Sequence, residues 1–262
     1  MSRAVSVTYL VRSTAEALAA AAAGFVVEAA AAAVASRGVA RIAISGGNTP
    51  KGMFSLLADR GQPFFAKMPW DKLHLFWVDE RCVPPTDKDS NYRMTNEAML
   101  AHVPLPAAQV HRMEGELEPE VAATRYEATL EAEFGPGMPV FDLVLLGMGD
   151  DGHTASLFPH TAALHEVKRH VVANHVLQKE TWRITLTAPV INSGRAVAFE
   201  IQGEDKAPVI HDVFLGPYDP ESKPSQLIRP ESGALTLLLD QAAAAKLPAP
   251  ASSSAAGVLE LI

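Results

Sequence analysis

The segment over residues 140–153 constrains this chain more than any other part of its sequence. Its first half is apolar apart from Asp142, as in a strand buried on both faces, and its second half is a glycine-rich turn that ends in Asp151, Gly152 and His153. In parallel sheets, ligands bind outside the carboxyl ends of the strands. A carboxylate beside an imidazole at that position predicts a site for proton transfer, because histidine ordinarily titrates near neutral pH.

The composition indicates a globular protein with a sizeable core, since the 262 residues are 48% hydrophobic and 20% charged. A formal net charge of −8 gives no general attraction for nucleic acid or anionic lipid, so we expect neither as a partner. Cys82 is the only cysteine, which excludes an intrachain disulfide and fits a reducing compartment. We therefore expect a cytoplasmic protein; its oligomeric state stays open, with a monomer slightly favoured.

The two ends of the chain differ in composition from its middle. Residues 17–27 form an apolar run that is too short to span a membrane, and Thr14 and Glu16 indicate a helix start just before it. We expect a buried alanine-rich helix over 14–36 rather than an export signal. Residues 248–262 are rich in Pro, Ala and Ser, which predicts a surface or partly disordered tail after one catalytic domain over 1–247.

Short β-rich runs alternate with stretches of helical periodicity between these ends. The runs that predict strands are residues 5–11, 41–45, 73–79, 140–147, 182–187, 196–202 and 235–239, and the clearest further helices are predicted over 91–101 and 118–134. This alternation is typical of an α/β fold with a largely parallel sheet flanked by helices.

A second strand end runs Ile-Ala-Ile-Ser-Gly-Gly-Asn-Thr-Pro over residues 42–50. It places Thr49 as a helix N-cap and Pro50 at the first helical position. Free N–H groups at a helix start, beside the hydroxyls of Ser45 and Thr49, suit an anion; a tight turn that needs glycine explains the same residues equally well. The segment lacks the lysine of a Walker A loop, so it does not predict a nucleotide triphosphate site.

A third strand end carries Asp79, Glu80 and Arg81, with Ser90 and Asn91 following. Two carboxylates and a guanidinium at the ligand edge suit substrate binding, and solvated surface ion pairs are the competing interpretation.

The central turn also matches G-x-G-x-x-G over residues 147–152. Asp150 and Asp151 stand where a pyrophosphate would lie, and Pro159 interrupts the long helix that a dinucleotide site needs. A hydrolytic or isomerising enzyme is therefore favoured over a nicotinamide-dependent one.

Taken in order, Ser-Gly-Gly-x-Thr-Pro, Asp-Glu-Arg…Ser-Asn and Gly-x-Gly-x-Asp-Gly-His-Thr-Ala-Ser-Leu-Phe-Pro closely resemble the 6-phosphogluconolactonase family over residues 15–239. The resemblance extends to Arg183 in Trp-Arg-Ile-Thr and to Lys206 in Gly-Glu-Asp-Lys-Ala. It implies a fold similar to the glucosamine-6-phosphate deaminase/ribose-5-phosphate isomerase-like fold. It also implies hydrolysis of the 1,5-lactone of 6-phosphogluconate in the oxidative pentose phosphate pathway, with no metal or organic cofactor.

The same resemblance implies a role for each motif. His153 would take a proton from the water that attacks the lactone and deliver one to the departing ring oxygen, while Asp151 orients the imidazole. Asp79 would contact sugar hydroxyls or position the turn, and amides of the glycine turn are candidate oxyanion donors. The residues expected to hold the phosphate are Ser45, Gly46, Gly47 and Thr49, with Arg81, Arg183 and Lys206 as candidate cations.

Two alternative functions stay open. The glucosamine-6-phosphate deaminase family is similar in the Ser-Gly-Gly-x-Thr-Pro segment over residues 45–50, here called the cradle, and in the glycine turn before His153. After the histidine, the deaminase turn continues Ile-Ala-Phe-Asn-Glu-Pro, and its glutamate belongs to the ring-opening machinery. Phe158 stands at that position here. A sugar-phosphate-binding regulator without turnover is disfavoured because Asp151 and His153 are both present. The sequence contains no G-x-S-x-G nucleophile elbow, so it does not predict a serine hydrolase. The spacing predicts no metal site among His160, His165, His170 and His175.

Overall fold

The computed structural model of the protein describes residues 5–231, 234–249 and 256–261. Its strands are β1 (Val5–Arg12), β2 (Ala40–Ile44), β3 (Leu73–Trp77), β4 (Asp79–Arg81), β5 (Val110–His111), β6 (Leu143–Leu146), β7 (Val171–Val176), β8 (Thr181–Leu186), β9 (Ala196–Ile201), β10 (Ala234–Asp240) and β11 (Ala256–Leu261). Its α-helices are α1 (Ala15–Arg37), α2 (Thr49–Ala58), α3 (Pro63–Lys67), α4 (Asn91–Ala98), α5 (Pro119–Phe134), α6 (Ala188–Asn192) and α7 (Ala207–Leu215).

Eight strands form one sheet in the order β11-β1-β10-β9-β6-β2-β3-β5, and every neighbouring pair except β11 and β1 is parallel. The predicted α/β fold with a largely parallel sheet is confirmed. The strand order reverses between β2 and β6, because β3 and β5 extend the sheet on one side while β9 and β10 extend it on the other. Chain segments that leave two such strands diverge and open a crevice, where ligands bind in α/β sheets.

A second, antiparallel sheet contains β4, β8 and β7. The strand predicted over 182–187 is β8, so it lies in this small sheet and not among the parallel strands. Val78 joins the two sheets, since its N–H donates to the carbonyl of Ile44 at 2.9 Å and its carbonyl accepts from the N–H of Leu186 at 2.8 Å. The small sheet is thereby fixed at the carboxyl edge of the large one.

Helices cover both faces of the large sheet. Because successive strand residues point to opposite faces, Ile42 and Ile44 lie in one core and Ala43 lies in the other. The first core contains side chains of α1, α2 and α4, and the second contains side chains of α5, α6 and α7 together with β7 and β8. The resulting three layers leave the carboxyl edge of the strands open to loops.

Helix α1 is the alanine-rich helix that the sequence predicts. The hydroxyl oxygen of Thr14 caps it by accepting from the N–H of Ala17 at 3.2 Å. Although the run over 17–27 is short, the whole helix is long and apolar enough to cross a membrane by length and composition, alone among helices in the described ranges. Leu18, Val26 and six further residues of α1 are nevertheless buried inside the protein, as expected of a core helix.

The expected carboxyl-terminal tail is corrected in part. Ala256–Leu261 forms β11, which pairs with β1 from Leu10↔Ala256 to Val5↔Leu261. An edge strand needs hydrogen bonds on one side only, so a short segment suffices despite the Ser- and Ala-rich composition before it. Residues 250–255 lie outside the described part of the chain, and the domain boundary at residue 247 stays a prediction.

Candidate active site

The two glycine turns leave neighbouring strands at the point where the strand order reverses. β2 and β6 pair through Ile42↔Leu143 and Ala43↔Val144, and the turns that follow them open on one cavity of about 410 Å³. The predicted site residues that line this cavity are Ser45, Gly46, Gly47, Thr49, Asp79, Arg81, His153, Arg183 and Lys206. Asp151, the remaining predicted residue, contacts the cavity through His153.

His153 and Asp151 form a hydrogen-bonded pair. Nδ1 of His153 lies 2.5 Å from Oδ1 of Asp151, and the same oxygen accepts from the backbone N–H of His153 at 3.1 Å. Partial burial alone would raise the pKa of Asp151, but the hydrogen bond and charge of His153 lower it to about 2. Asp151 is therefore a carboxylate that can accept a hydrogen bond from Nδ1–H of His153, and Nε2 is the ring nitrogen that this pairing leaves for proton exchange.

The imidazole of His153 is also held by packing. It stacks on the ring of Phe158, with ring centroids 3.9 Å apart and planes 19° apart, and Phe158 is 2% exposed. A Cβ atom at position 149 would overlap the imidazole, so glycine is required where the backbone passes the ring. Sequence reasoning noted Phe158 only as the absence of a glutamate, and it missed this supporting contact.

The turn around His153 is closed by its own hydrogen bonds. The hydroxyl of Thr154 donates to the carbonyl of Gly147 at 2.8 Å, and the N–H of Gly149 donates to the carbonyl of His153 at 2.9 Å. The Gly149 amide is thus occupied within the turn. The N–H of Gly152 is occupied as well, because it donates to the carbonyl of Gly149 at 3.0 Å. The structure therefore removes Gly149 and Gly152 from the candidate oxyanion donors of this turn.

The cradle after β2 begins its helix one residue earlier than predicted. Asn48 has helical backbone angles and is the N-cap of α2, so Thr49 is the first helical residue and not the cap. No side chain caps this helix start. Pro50 has no N–H, and the N–H of Lys51 donates to the carbonyl of Asn48 at 3.3 Å, so at this helix start the N–H of Thr49 remains available to an anion at the cavity wall. Gly46 is needed here because a Cβ atom would overlap the side chain of Asn91.

Arg81 and Arg183 lie directly opposite each other in the pairing of β4 with β8. The Nε atoms of both are buried and have no hydrogen-bond partner. Burial, followed by the neighbouring charge of Arg81, lowers the pKa of Arg183. Two adjacent guanidinium groups repel each other, and an oxyanion bound beside them would offset this repulsion.

Lys206 reaches the cavity from the other side of the central turn. It follows β9, which pairs with β6, and its Nζ forms an ion pair with Asp150. Its side chain is 19% exposed. The cavity thus has cations on both flanks of the cradle, despite the acidic balance of the whole chain.

Asp79 and Glu80 position the loops around the cavity. Oδ2 of Asp79 accepts from the hydroxyl of Ser156 at 2.7 Å, and its Oδ1 accepts from the side-chain amide of Asn91 at 3.3 Å. Glu80 accepts from the N–H groups of Asn91 and Tyr92 at 2.7 and 2.8 Å, and burial raises its pKa. Of the two roles considered for Asp79, these contacts favour holding the turn over binding sugar hydroxyls.

Comparisons with known proteins cover most of the chain. A sequence model of the family described as glucosamine-6-phosphate isomerases/6-phosphogluconolactonase matches residues 13–237. A Synechocystis protein named 6-phosphogluconolactonase is 42% identical over 219 residues, which are 82% of this chain and 88% of that protein. A protein of the same name from Mycobacterium tuberculosis is 41% identical over 225 residues, 83% of this chain and 89% of its own.

Solved structures agree with these similarities. The 6-phosphogluconolactonase from Trypanosoma cruzi superposes with a TM-score of 0.78 at 30% identity, covering 91% of this chain and 96% of its own. A monomeric glucosamine-6-phosphate deaminase superposes with a TM-score of 0.75 at 20% identity, covering 91% and 99%. The second likeness shows a shared fold, which confirms the predicted resemblance to the deaminase-like fold.

Proposed function

The chain belongs to the glucosamine-6-phosphate isomerase/6-phosphogluconolactonase family, and we propose that it hydrolyses the 1,5-lactone of 6-phosphogluconate in the oxidative pentose phosphate pathway. One observation carries this proposal. A histidine held by a carboxylate shares one cavity with an uncapped helix start and two facing arginines. The substrate needs both parts, because it carries an ester at one end and a phosphate at the other.

The phosphate is bound at the cradle. The N–H of Thr49 at the start of α2 and the hydroxyls of Ser45 and Thr49 donate to its oxygens, and the helix dipole favours its negative charge. Arg183 and Lys206 supply positive charge beside the cradle, and Arg81 adds to it through its position opposite Arg183. The cavity of about 410 Å³ lies within the range of small-ligand sites.

The ester is cleaved at His153. Nε2 accepts a proton from a water molecule as its oxygen attacks the lactone carbonyl carbon. The imidazolium then donates that proton to the ring oxygen as the bond between the carbonyl carbon and that oxygen breaks. The new carboxylic acid ionises, so each turnover releases one proton to solvent. Asp151 stays ionised throughout and stabilises the imidazolium, as its low pKa supports.

Phe158 favours the lactonase over the deaminase. The deaminase family places a glutamate at this position for ring opening, whereas this side chain has no proton to transfer and stacks on His153. The lactone carbonyl is already exposed to attack, so its hydrolysis needs no ring-opening acid. The chain therefore keeps the shared cradle and replaces one catalytic group by a support for another.

The test follows proton release from freshly prepared 6-phosphogluconolactone, with spontaneous hydrolysis subtracted. We expect His153→Ala to lower kcat by about 10² to 10⁴, the usual contribution of a positioned acid/base. The matched control is His165→Ala, which removes an exposed histidine paired with Glu221. Hydrolysis unchanged by His153→Ala would refute the role of His153, and ammonium release from glucosamine 6-phosphate would show the deaminase reaction instead.

We also propose that the protein acts in the cytoplasm. The single, half-buried Cys82 and the acidic net charge support a reducing aqueous compartment. The bacterial relatives carry the names of metabolic enzymes, and a related rice protein is named chloroplastic. Fractionation of cells that express the chain at its native level would test this location.

A further inference from the structure

We propose that His74, His111 and Glu133 form a binding site for a divalent transition-metal ion of the zinc type, apart from the catalytic cavity. His74 is the second residue of β3, and His111 lies on the neighbouring strand β5 opposite Phe76. Residues two apart on a strand share a face, so both imidazoles lie on the face that Phe76 occupies. Glu133 reaches them from the last turn of α5, which covers that face.

The distances between the candidate ligand atoms fit one metal ion. Nδ1 of His74 lies 3.1 Å from Nε2 of His111 and 3.0 Å from Oε2 of Glu133, and Nε2 of His111 lies 3.7 Å from Oε1 of Glu133. Ligand atoms about 2.1 Å from a tetrahedral zinc ion are about 3.3 to 3.5 Å apart. The observed separations bracket this value, and the described residues contain no other such group of three.

Hydrogen bonds fill this arrangement only in part. A single proton on Nδ1 of His74 would have to be shared between Glu133 and His111, and if Nδ1 instead accepts from His111, its lone pair faces a carboxylate oxygen. A cation accepts lone pairs from all three side chains at once. Burial is the main cause that lowers the pKa of His111, and a neutral imidazole is the form that binds metal.

The cluster is both reachable and firmly held. Its side chains are 22%, 9% and 24% exposed for His74, His111 and Glu133, so an ion can enter without unfolding the protein. His111 also stacks on Phe76 at a centroid distance of 4.4 Å. Three protein ligands leave a position for water, as in open zinc sites. Arg41, paired with His74 in the sheet, adds a positive charge that limits the affinity.

The site is separate from the lactonase cavity in the fold. His74 lies near the amino end of β3, while the cavity is lined by residues that follow the carboxyl ends of the strands. Neither histidine nor Glu133 lines that cavity. Metal binding here therefore acts on stability, and it can be tested independently of catalysis.

The experiment titrates the tag-free, full-length protein with Co²⁺ and follows the visible d–d bands of a histidine-bound ion. We expect one equivalent to bind, and Zn²⁺ to displace it and raise the Tm. His74→Ala and the conservative Glu133→Gln should each weaken binding by at least about 10-fold, with the larger loss for the lost imidazole. Both variants should keep lactonase kcat/KM, and the rise in Tm with Zn²⁺ should disappear in His74→Ala.

His165→Ala is the matched control, because it removes a histidine that contacts a carboxylate at 2.9 Å outside the cluster. It should leave Co²⁺ binding unchanged. If His74→Ala folds poorly, Glu133→Gln decides alone. Absence of saturable Co²⁺ binding by the parent, or an equal loss in His165→Ala and Glu133→Gln, would overturn the proposal.

Discussion

Glu200 lies near the candidate active site and makes folding stability depend on pH. It is on β9, two residues before Gln202, which lines the cavity. Glu200 is 2% exposed, its Oε2 has no hydrogen-bond partner, and burial raises its pKa to about 8. The folded protein therefore holds a neutral carboxylic acid at this position at neutral pH.

The sign of the effect follows from the two pKa values. In the unfolded chain Glu200 ionises near its ordinary pKa of 4.5, whereas the folded chain keeps the proton until about pH 8. Between these values the unfolded state binds fewer protons, so the free energy of unfolding falls as pH rises. Each pH unit contributes about 1.4 kcal/mol, and pH 7 is about 2.5 units above 4.5, which gives a loss of about 3 kcal/mol.

Glu200→Gln removes this titration and keeps the shape of the side chain. The free energy of unfolding is measured by urea denaturation at pH 4.5 and at pH 7 for both proteins. We expect its decrease between these two pH values to be about 3 kcal/mol smaller in Glu200→Gln than in the parent. Glu80, whose pKa burial also raises, contributes equally to both proteins and cancels in the comparison. Exposed Glu28→Gln is the matched control and should follow the parent. Parallel curves for parent and Glu200→Gln would refute the reasoning.

Three further substitutions test the site itself. Phe158→Leu removes the ring that stacks on His153 and should lower kcat by about 10-fold with little change in KM, measured by proton release. Asp151→Asn removes the carboxylate that orients the imidazole and should lower kcat by about 10²; a kcat within 2-fold of the parent would contradict that role. Arg183→Gln removes one of two facing cations and should raise KM by about 10-fold while raising the Tm, because the repulsion from Arg81 is relieved.

Local chemistry explains which features were predictable from sequence. The apolar run before Gly147 and the capping residues of α1 are local sequence patterns. The parallel strands and helix α1 could therefore be predicted from the sequence. The membership of β8 in a separate sheet depends on Val78, which bonds two strands distant in the chain. No local pattern encodes that link.

The candidate site also has some features that were predictable from the sequence and others that were not. The pairing of His153 with Asp151 follows from their spacing in one turn, and the sequence predicts it. The stacking of Phe158 on His153, and the two hydrogen bonds that occupy Asp79, depend on how a folded loop meets its surroundings. The cluster of His74, His111 and Glu133 was not predicted, because its members lie on three elements and are spaced without a motif.

The position of β1 in the sheet has a consequence for how the protein is made. Its strand partners are β10 and β11. Residue 7 therefore pairs with residue 235, which is synthesised about 230 positions later. At roughly 5 to 20 residues per second, translation leaves this apolar segment without its neighbours for about 10 to 50 seconds. A nascent chain therefore leaves both edges of β1 unpaired until β10 and β11 have been synthesised.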